Sequence, residues 1–371
     1  MTLPTPTAQR PLRVLHFVSG GFSGATQVAI DLCGDDAQQQ TLLVLRRRMM
    51  NPTERVNALR AKGLAVEVVP RWSHTATIIA LLRICRTWKP DVFVAHGFSE
   101  HLWGRYAALL AGVPRIVHIE HNTRERYGRW RLWQSLWLAR RTDCIIGVSN
   151  AVRDALVALG HPEHLCTVIH NGIDLPRWTE RTPWPQRENA IVMPARFARQ
   201  KDHETLIRAI ALLKAKGLTP TLYFAGEGKA AWRADAERLA QRLGVSDQVQ
   251  CLGHVANLPA LLGRVKLCVL STHYEGLGLG LIEGMASGCC GVGSDVEGVR
   301  EVITHGENGL LVPHADPQAM ADTLADLLTH TDRAEQLAIA GQAHVHRTFD
   351  RTRMRQQYLD LFQQLGNKVS A

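Results

Sequence analysis

Length, composition and charge exclude several classes of protein. The chain has 371 residues, of which 46% are hydrophobic and 21% charged. These fractions are typical of a soluble globular protein, and the length exceeds what one ordinary core accommodates, so two domains are expected. No apolar run reaches the ~18 residues that a membrane span requires. The amino terminus, MTLPTPTAQRPLR, lacks the apolar core of a secretory signal.

The cysteines indicate the cellular compartment, and the distribution of charge indicates the kind of partner. The eight cysteines are scattered without C-x-x-C spacing, which favours reduced core thiols and a cytoplasmic protein. The net charge is +9; residues 1–175 contain 21 Lys/Arg and 13 Asp/Glu, whereas the remainder contains 22 and 21. This asymmetry indicates that the first half of the chain interacts with an anionic partner. The chain lacks a recognisable nucleic-acid motif and its second half is not basic, so nucleic acid is not expected as a partner.

Short apolar runs alternate with helical patterns through the first half. This alternation predicts a parallel sheet with crossover helices, whose ligands collect at the carboxyl ends of the strands. His96, His121 and Ser149 stand at such ends and are candidate site residues, although a lone histidine there is often structural. The predicted strands are 13–19, 40–45, 66–69, 92–96, 116–120 and 144–148.

The first predicted strand runs into the glycine-rich sequence GGFSGA. Gly20, Gly21 and Gly24 open a predicted helix at 26–32, and a strand, a glycine turn and a helix together leave a phosphate-sized space. The spacing is neither G-x-G-x-x-G nor a P-loop, so dinucleotide or ATP binding is not indicated.

Residues 124–141, RERYGRWRLWQSLWLARR, form a basic and aromatic stretch. Trp130, Trp133 and Trp137 recur at one helical face, with arginines around them. Two interpretations stay open: an amphipathic helix with its tryptophans in the core, or a helix that docks on an anionic membrane surface. Arg46, Arg47 and Arg48, followed by two methionines, would add to such a surface. The candidate residues for membrane or acceptor contact are Arg126, Arg129, Trp130, Arg131, Trp133 and Trp137.

A proline-rich segment at 175–189 reads as a linker. Beyond it, a second alternating pattern predicts strands at 190–194, 222–225, 249–252 and 266–272 and helices from Asp316 almost to the end. Arg196 and Lys201 flank the first strand-to-helix turn of this half. Out of context, both would be ordinary surface residues.

The sequence His273–Gly288, HYEGLGLGLIEGMASG, places Glu275 and Glu283 on either side of a glycine turn. We predict a strand, a turn and then a helix, with Glu283 about two turns into the helix. The glycines allow positive φ and close approach of a ligand, and the helix N-terminus offers N–H groups to phosphate oxygens. Glu275 could instead act only as an acid at a helix N-terminus. The neighbours of Glu283, Ile282, Met285 and Ala286, are expected to be buried, and a carboxylate in such a setting needs a partner. A carboxylate can accept two hydrogen bonds from paired sugar hydroxyls.

These motifs resemble a known family. The two glutamates with EGLGL between them, the following MASG, Glu301 in EGVREVI and Gly309 in ENGLLV resemble the retaining sugar-nucleotide transferases of glycosyltransferase family 4, which have the GT-B fold. The chain departs from the family pattern at Ser271–Thr272, Gly284 and Cys290, without loss of a polar group that the chemistry needs. The resemblance implies an α/β fold of two Rossmann-like doubly wound domains that face a cleft.

The resemblance also implies roles for single residues. Arg196 and Lys201 would hold the donor diphosphate, Glu275 would bind the hexose and Glu283 the ribose. His121, in the sequence E-H-N, would lie beside the donor sugar. The remaining donor-binding residues implied by the resemblance are Gly20, Gly21, Val255, Gly276, Leu277, Gly278 and Leu279.

The implied domains are an acceptor-side domain at 1–174, the linker at 175–189, a nucleotide-sugar domain at 190–350 and a carboxy-terminal helix at 351–371 that crosses back to the first domain. The implied function is a retaining transfer of a hexose from a nucleotide diphosphate sugar, of UDP or GDP type, to a glycan or lipid-linked acceptor in cell-surface polysaccharide or lipopolysaccharide synthesis. We expect no cofactor and no metal, since no D-x-D occurs, and a peripheral location on the inner face of the cell membrane.

Three alternatives remain at this point. The chain could be a nucleotide-sugar epimerase or a sugar-phosphate synthase of the same fold. It could also be a non-catalytic membrane-binding relative.

Overall fold

The structure, a computed structural model, describes residues 10–19, 24–35, 37–46, 53–97, 100–124 and 127–367. The chain folds into two compact units, each built on its own parallel sheet. Within the described residues, the first unit comprises the chain up to Val148, Val152–Ile169 and the chain from Arg355; the second comprises Ser149–Ala151 and His170–Met354. The predicted class, two Rossmann-like doubly wound units, is confirmed.

Seven parallel strands form the sheet of the first unit within the described ranges. They are β1 (Leu12–Ser19), β2 (Gln39–Arg46), β3 (Val66–Val69), β4 (Val92–His96), β5 (Arg115–Glu120), β6 (Cys144–Gly147) and β7 (Cys166–Val168). Their order across the sheet is β3-β2-β1-β4-β5-β6-β7, so the direction of winding reverses between β1 and β4. Ligands of open α/β sheets bind at the carboxyl ends of the strands beside such a reversal.

Helices of the first half of the chain connect these strands. They are α1 (Gly24–Leu32), α2 (Thr53–Ala61), α3 (His74–Trp88), α4 (Glu100–Ala111), α5 (Arg129–Ala139) and α6 (Asn150–Ala158). Their ends follow simple capping rules. The Ser73 hydroxyl accepts a hydrogen bond from the Ala76 N–H at 2.9 Å at the start of α3, and Lys89 ends this helix in the left-handed conformation before Pro90.

The sheet of the second unit has the order β10-β9-β8-β11-β12-β13 among the described residues. Its reversal point lies between β8 and β11. The strands are β8 (Glu188–Met193), β9 (Thr221–Ala225), β10 (Val249–Gly253), β11 (Val265–Leu270), β12 (Cys290–Ser294) and β13 (Leu310–Val312).

Seven helices cover this sheet in the part of the chain that the structure describes. They are α7 (His203–Ala215), α8 (Ala230–Arg242), α9 (Leu258–Arg264), α10 (Leu279–Ala286), α11 (Glu297–Arg300), α12 (Pro317–Thr329) and α13 (Thr331–Thr348). The last helix, α14 (Arg351–Asn367), begins in the second unit and belongs to the first from Arg355 onward.

The predicted strands lie within two residues of the observed ones, but the sequence patterns do not predict β7, β12 and β13. Strand β12 has the sequence CGVGS, and glycine disfavours strands. The packing explains these glycines. A Cβ at Gly293 would lie 2.4 Å from Cγ1 of Val299, because α11 sits directly on the strand there.

Each unit has a buried apolar core. The second unit is built around one continuous cluster that includes Ile191, Phe224, Leu267 and Leu281. In the first unit, separate clusters lie around Phe93 and around Leu43. The strands are buried nearly throughout, as expected for parallel sheets with helices on both faces.

All eight cysteines are free thiols. Burial raises the pKa of Cys85 and of Cys289 to about 12. These thiols therefore stay protonated and act as small apolar core residues.

Two details of the sequence interpretation are corrected. Glu283 is the fifth residue of α10, so it lies just over one turn into the helix and not two, because α10 starts at Leu279. Arg46 is 5% exposed and lies 2.9 Å from Nδ1 of His74, so it does not belong to a membrane-facing surface. Arg47 and Arg48 lie outside the described residues.

In the part of the chain that the structure describes, none of the helices is both long enough and apolar enough to cross a bilayer.

Gly280 allows the start of α10 to pack closely against the chain at the end of β8. A Cβ at this position would lie 2.3 Å from the carbonyl oxygen of Pro194, a backbone atom that cannot rotate away. We expect Gly280→Ala to lower the free energy of unfolding by about 2 kcal/mol through overpacking. Urea denaturation followed by tryptophan fluorescence would measure the change. Gly128→Ala is the control, since Gly128 has ordinary φ and nothing lies within 4 Å of its added Cβ; an equal loss in both variants would contradict the prediction.

Candidate functional site

Two loops of the second unit are joined by hydrogen bonds at the reversal point of its sheet. Residues 198–202 follow β8 and residues 271–275 follow β11. The Asp202 N–H donates to the Ser271 carbonyl at 3.0 Å, and the His273 N–H donates to the Gln200 carbonyl at 2.9 Å. Thr272 and Lys201 pair as an isolated antiparallel bridge. The two loops therefore act as one structural element at the carboxyl edge of the sheet.

This loop pairing brings Lys201 and Glu275 into contact. Their side chains form an ion pair, with 12% and 14% exposure respectively. Gln200 also donates to the Glu275 carboxylate, at 3.4 Å, and the Gly276 N–H donates to it at 3.2 Å. The cation and the carboxylate that the resemblance assigns to diphosphate and hexose are therefore partners of each other in the structure.

The helix N-terminus that follows Glu275 has the expected glycine geometry at one position. Gly278 caps α10 with φ of 85°, a left-handed conformation that favours glycine. Gly276 and Gly280 do not have positive φ. Gly280 is needed for its close approach to Pro194. Leu277 is 2% exposed and anchors the turn in the core, while Leu279 is half-buried at the first position of the helix.

Two other residues that the resemblance assigns to the donor are Glu283 and Arg196. Glu283 is half-buried on α10, close enough to Cys268 to add to the rise in the pKa of that thiol, which is due first to burial. Arg196 is exposed on the loop after β8. Its backbone nitrogen lies 3.0 Å from where a Cβ of Gly226 would be, so the start of the loop is held close to the end of β9.

Val255, which the resemblance assigns to donor binding, is partly buried against the core of the second unit. It lies two residues after the end of β10, at the carboxyl edge of the sheet. The loops after β8, β10 and β11 thus all project from one edge of this sheet.

Glu301 has partners of its own in the second unit. Its carboxylate accepts hydrogen bonds from the backbone N–H groups of Asn150 at 2.9 Å and Ala151 at 2.7 Å, and lies 2.9 Å from Nε2 of His170. Burial alone would raise the pKa of Glu301, but the hydrogen bonds from His170, Ala151 and Asn150 outweigh it and lower that pKa. Glu301 is therefore a capping carboxylate at the first residues of α6.

In the first unit, His121 follows β5 at the carboxyl edge of the sheet. It is half-buried, and its backbone N–H donates to the carboxylate of Glu120 at 2.8 Å. Burial lowers the pKa of the His121 imidazole to about 3, so the ring is neutral near pH 7. Gly20 and Gly21, predicted to lie near the diphosphate, are outside the described residues.

A row of three histidines crosses the reversal point of the first sheet. His16 in β1 lies next to His96 in β4, with 3.2 Å between Nδ1 of His16 and Nε2 of His96. His96 in turn lies next to His121, with 3.1 Å between Nδ1 of His96 and Nε2 of His121. His16 and His96 are fully buried. Sequence reasoning missed His16, although a histidine inside the apolar run RVLHFVS was a signal that it needs a partner.

A second buried polar cluster lies beside this row. It contains His101, Arg105, His118 and Glu120, all at most 1% exposed. His118 and Glu120 approach to 3.6 Å, and burial lowers the pKa of Arg105 to about 10. Sequence reasoning missed this cluster as well.

The same cluster has metal-ligand residue types, His101, His118 and Glu120. Arg105 decides what they can do. Its Nη2 lies 2.7 Å from Nδ1 of His101, and a guanidinium only donates, so Nδ1 accepts and Nε2 of His101 carries the proton. That Nε2 lies 2.7 Å from the Tyr127 hydroxyl. His101 therefore has no lone pair left for a metal ion.

Another group with ligand residue types is Asp202, His273 and His314. The Asp202 carboxylate already caps α7, since it accepts from the Thr205 N–H at 3.1 Å and hydroxyl at 2.6 Å. His273 and His314 approach to 2.7 Å between ring nitrogens. Of the possible metal-ligand atoms in this group, the Asp202 carboxylate is used in a helix cap, whereas the ring nitrogens of His273 and His314 are not.

Helix α5 shows where the tryptophans of the basic stretch point. Trp130 is 68% and Trp133 is 53% exposed, and their rings stack at 4.8 Å. Trp137 is half-buried, with the Arg141 guanidinium 3.8 Å above its ring. The interpretation that places these tryptophans in the core is wrong for Trp130 and Trp133.

The buried face of α5 explains this outcome. It consists of Gln134, Ser135, Leu138 and Ala139. At 3.6 residues per turn, the tryptophan stripe lies roughly a third of a turn away from that face. The buried Gln134 accepts from the Tyr106 hydroxyl at 3.1 Å, and the buried Ser135 accepts from Arg105 at 3.2 Å.

Two arginines share the exposed side of α5. Arg129 and Arg131 are exposed beside the tryptophans. Arg131 also contributes, after burial and Arg46, to a lowered pKa of His74. Arg126 lies outside the described residues.

The sequence and the fold were compared with known proteins. The model of the family "Glycosyl transferases group 1" matches residues 175–344, and that of "Glycosyltransferase Family 4" matches residues 23–177. The chain is similar to a protein named as a glycosyltransferase, EpsD of Bacillus subtilis (strain 168), with 30% identity over 302 residues that cover 76% of this chain and 78% of EpsD.

Two further comparisons extend over nearly the whole chain. The lipopolysaccharide core biosynthesis glycosyltransferase LpsE of Rhizobium meliloti (strain 1021) is 24% identical over 364 residues, which cover 94% of this chain and 98% of LpsE. The crystal structure of Anabaena Alr3699/HepE in complex with UDP-glucose superposes with a TM-score of 0.84 at 21% identity, over 97% of this chain and 99% of that one. The chain therefore belongs to the group 1 glycosyltransferases, with a first half of the family 4 type and the two-unit GT-B fold.

Proposed function

We propose that this glycosyltransferase moves a hexose from a nucleotide diphosphate sugar, of UDP or GDP type, to a glycan or lipid-linked acceptor with retention of configuration and without a metal. The observation that carries the proposal is the juxtaposition of Lys201, Glu275 and the N-terminus of α10 at the reversal point of the second sheet. A cation, a carboxylate and free helix N–H groups are the groups that a diphosphate joined to a polyhydroxyl ring requires. The UDP-glucose bound in the HepE structure supports this donor class.

In the proposed complex, Arg196 and Lys201 neutralise the diphosphate, and the backbone of 277–279 donates to its oxygens. Glu283 accepts from the ribose hydroxyls and Glu275 from the hexose hydroxyls. Lys201 must then exchange its partner, because its ammonium leaves Glu275 for the diphosphate. The hexose hydroxyls replace it as donors to Glu275, so recognition of the phosphate and of the sugar is coupled.

The chemical step that we favour is a same-face displacement. The bond from the anomeric carbon to the diphosphate oxygen breaks, the acceptor oxygen forms a bond to that carbon on the same face, and the leaving diphosphate oxygen takes the acceptor proton. Arg196 and Lys201 stabilise the negative charge that grows on the diphosphate, an effect of about 3 kcal/mol for one well-placed donor. Glu275 is engaged with hydroxyls and so does not serve as a nucleophile.

The acceptor is proposed to be a membrane-borne glycan in polysaccharide or lipopolysaccharide synthesis, as the name of LpsE suggests for that relative. The exposed Trp130 and Trp133 with Arg129 and Arg131 would hold the first unit on an anionic membrane surface. Tryptophan is suited to the interface of a bilayer, and arginine to anionic headgroups. We therefore propose that the protein acts at the inner face of the cell membrane.

Glu283→Gln tests donor binding. The amide keeps the shape but loses the charge that accepts ribose hydroxyls, so we expect a loss of about 2 kcal/mol in donor affinity, roughly 30-fold in Kd. Isothermal titration calorimetry would measure it, with the nucleotide sugar that gives the largest thermal shift in a panel of UDP, GDP and ADP sugars. Glu297→Gln is the control, because Glu297 is exposed on α11. Unchanged affinity in Glu283→Gln would favour a binding protein that has kept the fold without the activity.

Glu275→Gln tests the exchange of partners. Loss of this carboxylate frees Lys201, so binding of the nucleoside diphosphate alone should tighten by about 1 kcal/mol, roughly fivefold. Transfer should fall about 100-fold, because the hexose hydroxyls lose their charged acceptor. Competition binding with UDP and GDP and an initial-rate assay would report the two effects. A variant that weakens nucleoside diphosphate binding as much as it weakens transfer would contradict the exchange.

Liposome flotation tests the membrane surface. We expect the Trp133→Ala, Arg131→Ala double variant to lower the bound fraction at least tenfold on vesicles with 30% anionic lipid, because aromatic insertion and headgroup pairing are both lost. The control is Trp232→Ala with Arg242→Ala, since Trp232 and Arg242 lie exposed on α8 of the second unit. Absence of binding by the unaltered protein, or equal binding by the two double variants, would refute the proposed surface.

A further inference from the structure

Three loops of the second unit bring metal-ligand atoms together at the carboxyl edge of its sheet. Asp202 lies on the loop after β8, His273 on the loop after β11 and His314 on the loop after β13. A carboxylate oxygen of Asp202 and one ring nitrogen of each histidine all lie within 4.8 Å of one another. These residues are far apart in the sequence, so the order of the strands brings them together.

The distances between these atoms are close to those that a metal ion requires. Two ligand atoms that each lie about 2.1 Å from a tetrahedral zinc ion lie roughly 3.4 Å apart. Nδ1 of His273 lies 2.7 Å from Nε2 of His314 and 3.9 Å from Oδ2 of Asp202. The observed distances therefore lie on both sides of the required one. The side chain of His314 is exposed, so it is free to move by the small difference.

The backbone at His273 is held in place without an ion. Its N–H donates to the Gln200 carbonyl at 2.9 Å. The N–H of the preceding residue, Thr272, donates to the hydroxyl of Ser294, at the end of β12, at 3.0 Å. The loop after β11 is thus fixed to the loop after β8 on one side and to β12 on the other, and His273 leaves a fixed position.

The loop that carries His314 is short. Four residues, 313–316, connect β13 to α12. Ala315 has a φ of 56°, a left-handed conformation that residues other than glycine rarely adopt. Asp316 then caps α12, since its carboxylate accepts from the N–H groups of Gln318 at 3.0 Å and Ala319 at 2.9 Å. His314 therefore stands on a tight turn between a strand and a capped helix.

Asp202 is the least exposed of the three residues, at 5%. Its two carboxylate oxygens offer about four acceptor positions. Thr205 uses two of them, through its N–H at 3.1 Å and its hydroxyl at 2.6 Å. Carboxylates that bind metal ions are themselves held by such hydrogen bonds, which fix their orientation. The cap of α7 and a bond to a metal ion are therefore compatible.

The ligand atoms select the kind of ion. Magnesium and calcium prefer ligand sets made of oxygen, whereas imidazole nitrogen suits zinc, copper and nickel. Three protein ligands leave a fourth position for water. An imidazole that binds an ion through one nitrogen carries its proton on the other. In the complex, the N–H groups therefore lie on Nε2 of His273 and Nδ1 of His314, and neither ring has to lose a proton.

We propose that Asp202, His273 and His314 bind a divalent transition-metal ion of the zinc type, which links the loop after β13 to the two loops at 198–202 and 271–275. The ion takes no part in the proposed sugar transfer; it holds the three loops together at the edge of the sheet. Without the ion, His273 and His314 keep their hydrogen bond to each other. The site does not rest on the proposed function.

Titration calorimetry of the full-length protein, stripped of metal with EDTA, tests the site. We expect Zn²⁺ to bind at least 100-fold more tightly than Mg²⁺. Zn²⁺ affinity should fall at least 100-fold in His273→Ala and in His314→Ala, because loss of even an outer-shell partner of a ligand costs about 10- to 100-fold. Asp202→Asn keeps an acceptor for the Thr205 N–H but loses the charge, and should weaken Zn²⁺ binding at least tenfold. Unchanged Zn²⁺ affinity in any one of these variants would overturn the three-residue site.

The chain has 17 histidines, so a matched control is needed. His346→Ala serves as that control, because His346 is exposed on α13 and lies outside this group. We expect it to leave Zn²⁺ affinity unchanged. An equal loss in His346→Ala and His314→Ala would show that Zn²⁺ binds to surface histidines in general, which would overturn the proposal.

Co²⁺ reports the geometry of the bound ion. In place of Zn²⁺, it should give the strong visible absorption of tetrahedral coordination, and His314→Ala should abolish this absorption. The weak spectrum of hydrated, octahedral Co²⁺ in the unaltered protein would overturn the proposal.

Thermal unfolding and sugar transfer separate this inference from the proposed function. Zn²⁺ should raise the Tm of the unaltered protein but not that of His314→Ala, because an ion that binds the folded state alone stabilises it. If the protein transfers no sugar but binds Zn²⁺ as described, the proposed function fails and the metal site stands. If transfer is normal and Zn²⁺ neither binds nor raises the Tm, the metal site fails alone.

Discussion

The backbone hydrogen bonds between residues 198–202 and 271–275 are the constraint on which the candidate site depends. They join the loops that leave β8 and β11, strands that are neighbours in the sheet but far apart in the sequence. Because these loops are paired, Lys201 and Glu275 meet with little exposure to water, where an ion pair is worth more than at an exposed surface. A charged site is thus formed before any ligand is present.

This arrangement also gives the site a built-in counter-ion. A lysine at the start of one helix and a carboxylate before another would each repel a ligand of their own sign. As partners they are neutral together. In the proposed complex, the diphosphate replaces the carboxylate as the partner of Lys201, and the sugar hydroxyls replace the ammonium as the partners of Glu275, so that two residues of opposite charge serve one substrate.

The two units differ in how they use charge. In the second unit, Lys201, Glu275 and Glu283 lie near the carboxyl edge of the sheet. The first unit has a charged cluster that is buried almost completely: Arg105, His118 and Glu120 lie almost without exposure next to the histidine row. Buried polar groups are costly unless they are partnered, so such a network fixes the geometry around the end of β5, where His121 stands. Helix α5 is joined to this network through Ser135, which accepts from Arg105, and its Gln134 accepts from Tyr106. These inward contacts leave Trp130 and Trp133 on the outer side of the helix.

The sequence by itself determined the class of fold and the succession of strand, glycine turn and helix around Glu275 and Glu283 in the second unit. Short continuous apolar runs between helical patterns predict parallel strands, since such strands are buried on both faces and have no polar positions. Glu275 and Glu283 lie close together in the sequence, on either side of a glycine turn, so their spacing could be read from the chain alone. What only the tertiary structure decided depends on contacts between distant residues. Strand β12 could not be predicted because the side chain of Val299 requires Gly293 and that of Met285 lies against Gly291. The pairing of Lys201 with Glu275 depends on the order of the strands. The outward direction of Trp130 and the row from His16 to His121 likewise follow from neighbours that lie far away in the chain, because a residue's own pattern cannot show which partner will satisfy a buried polar group.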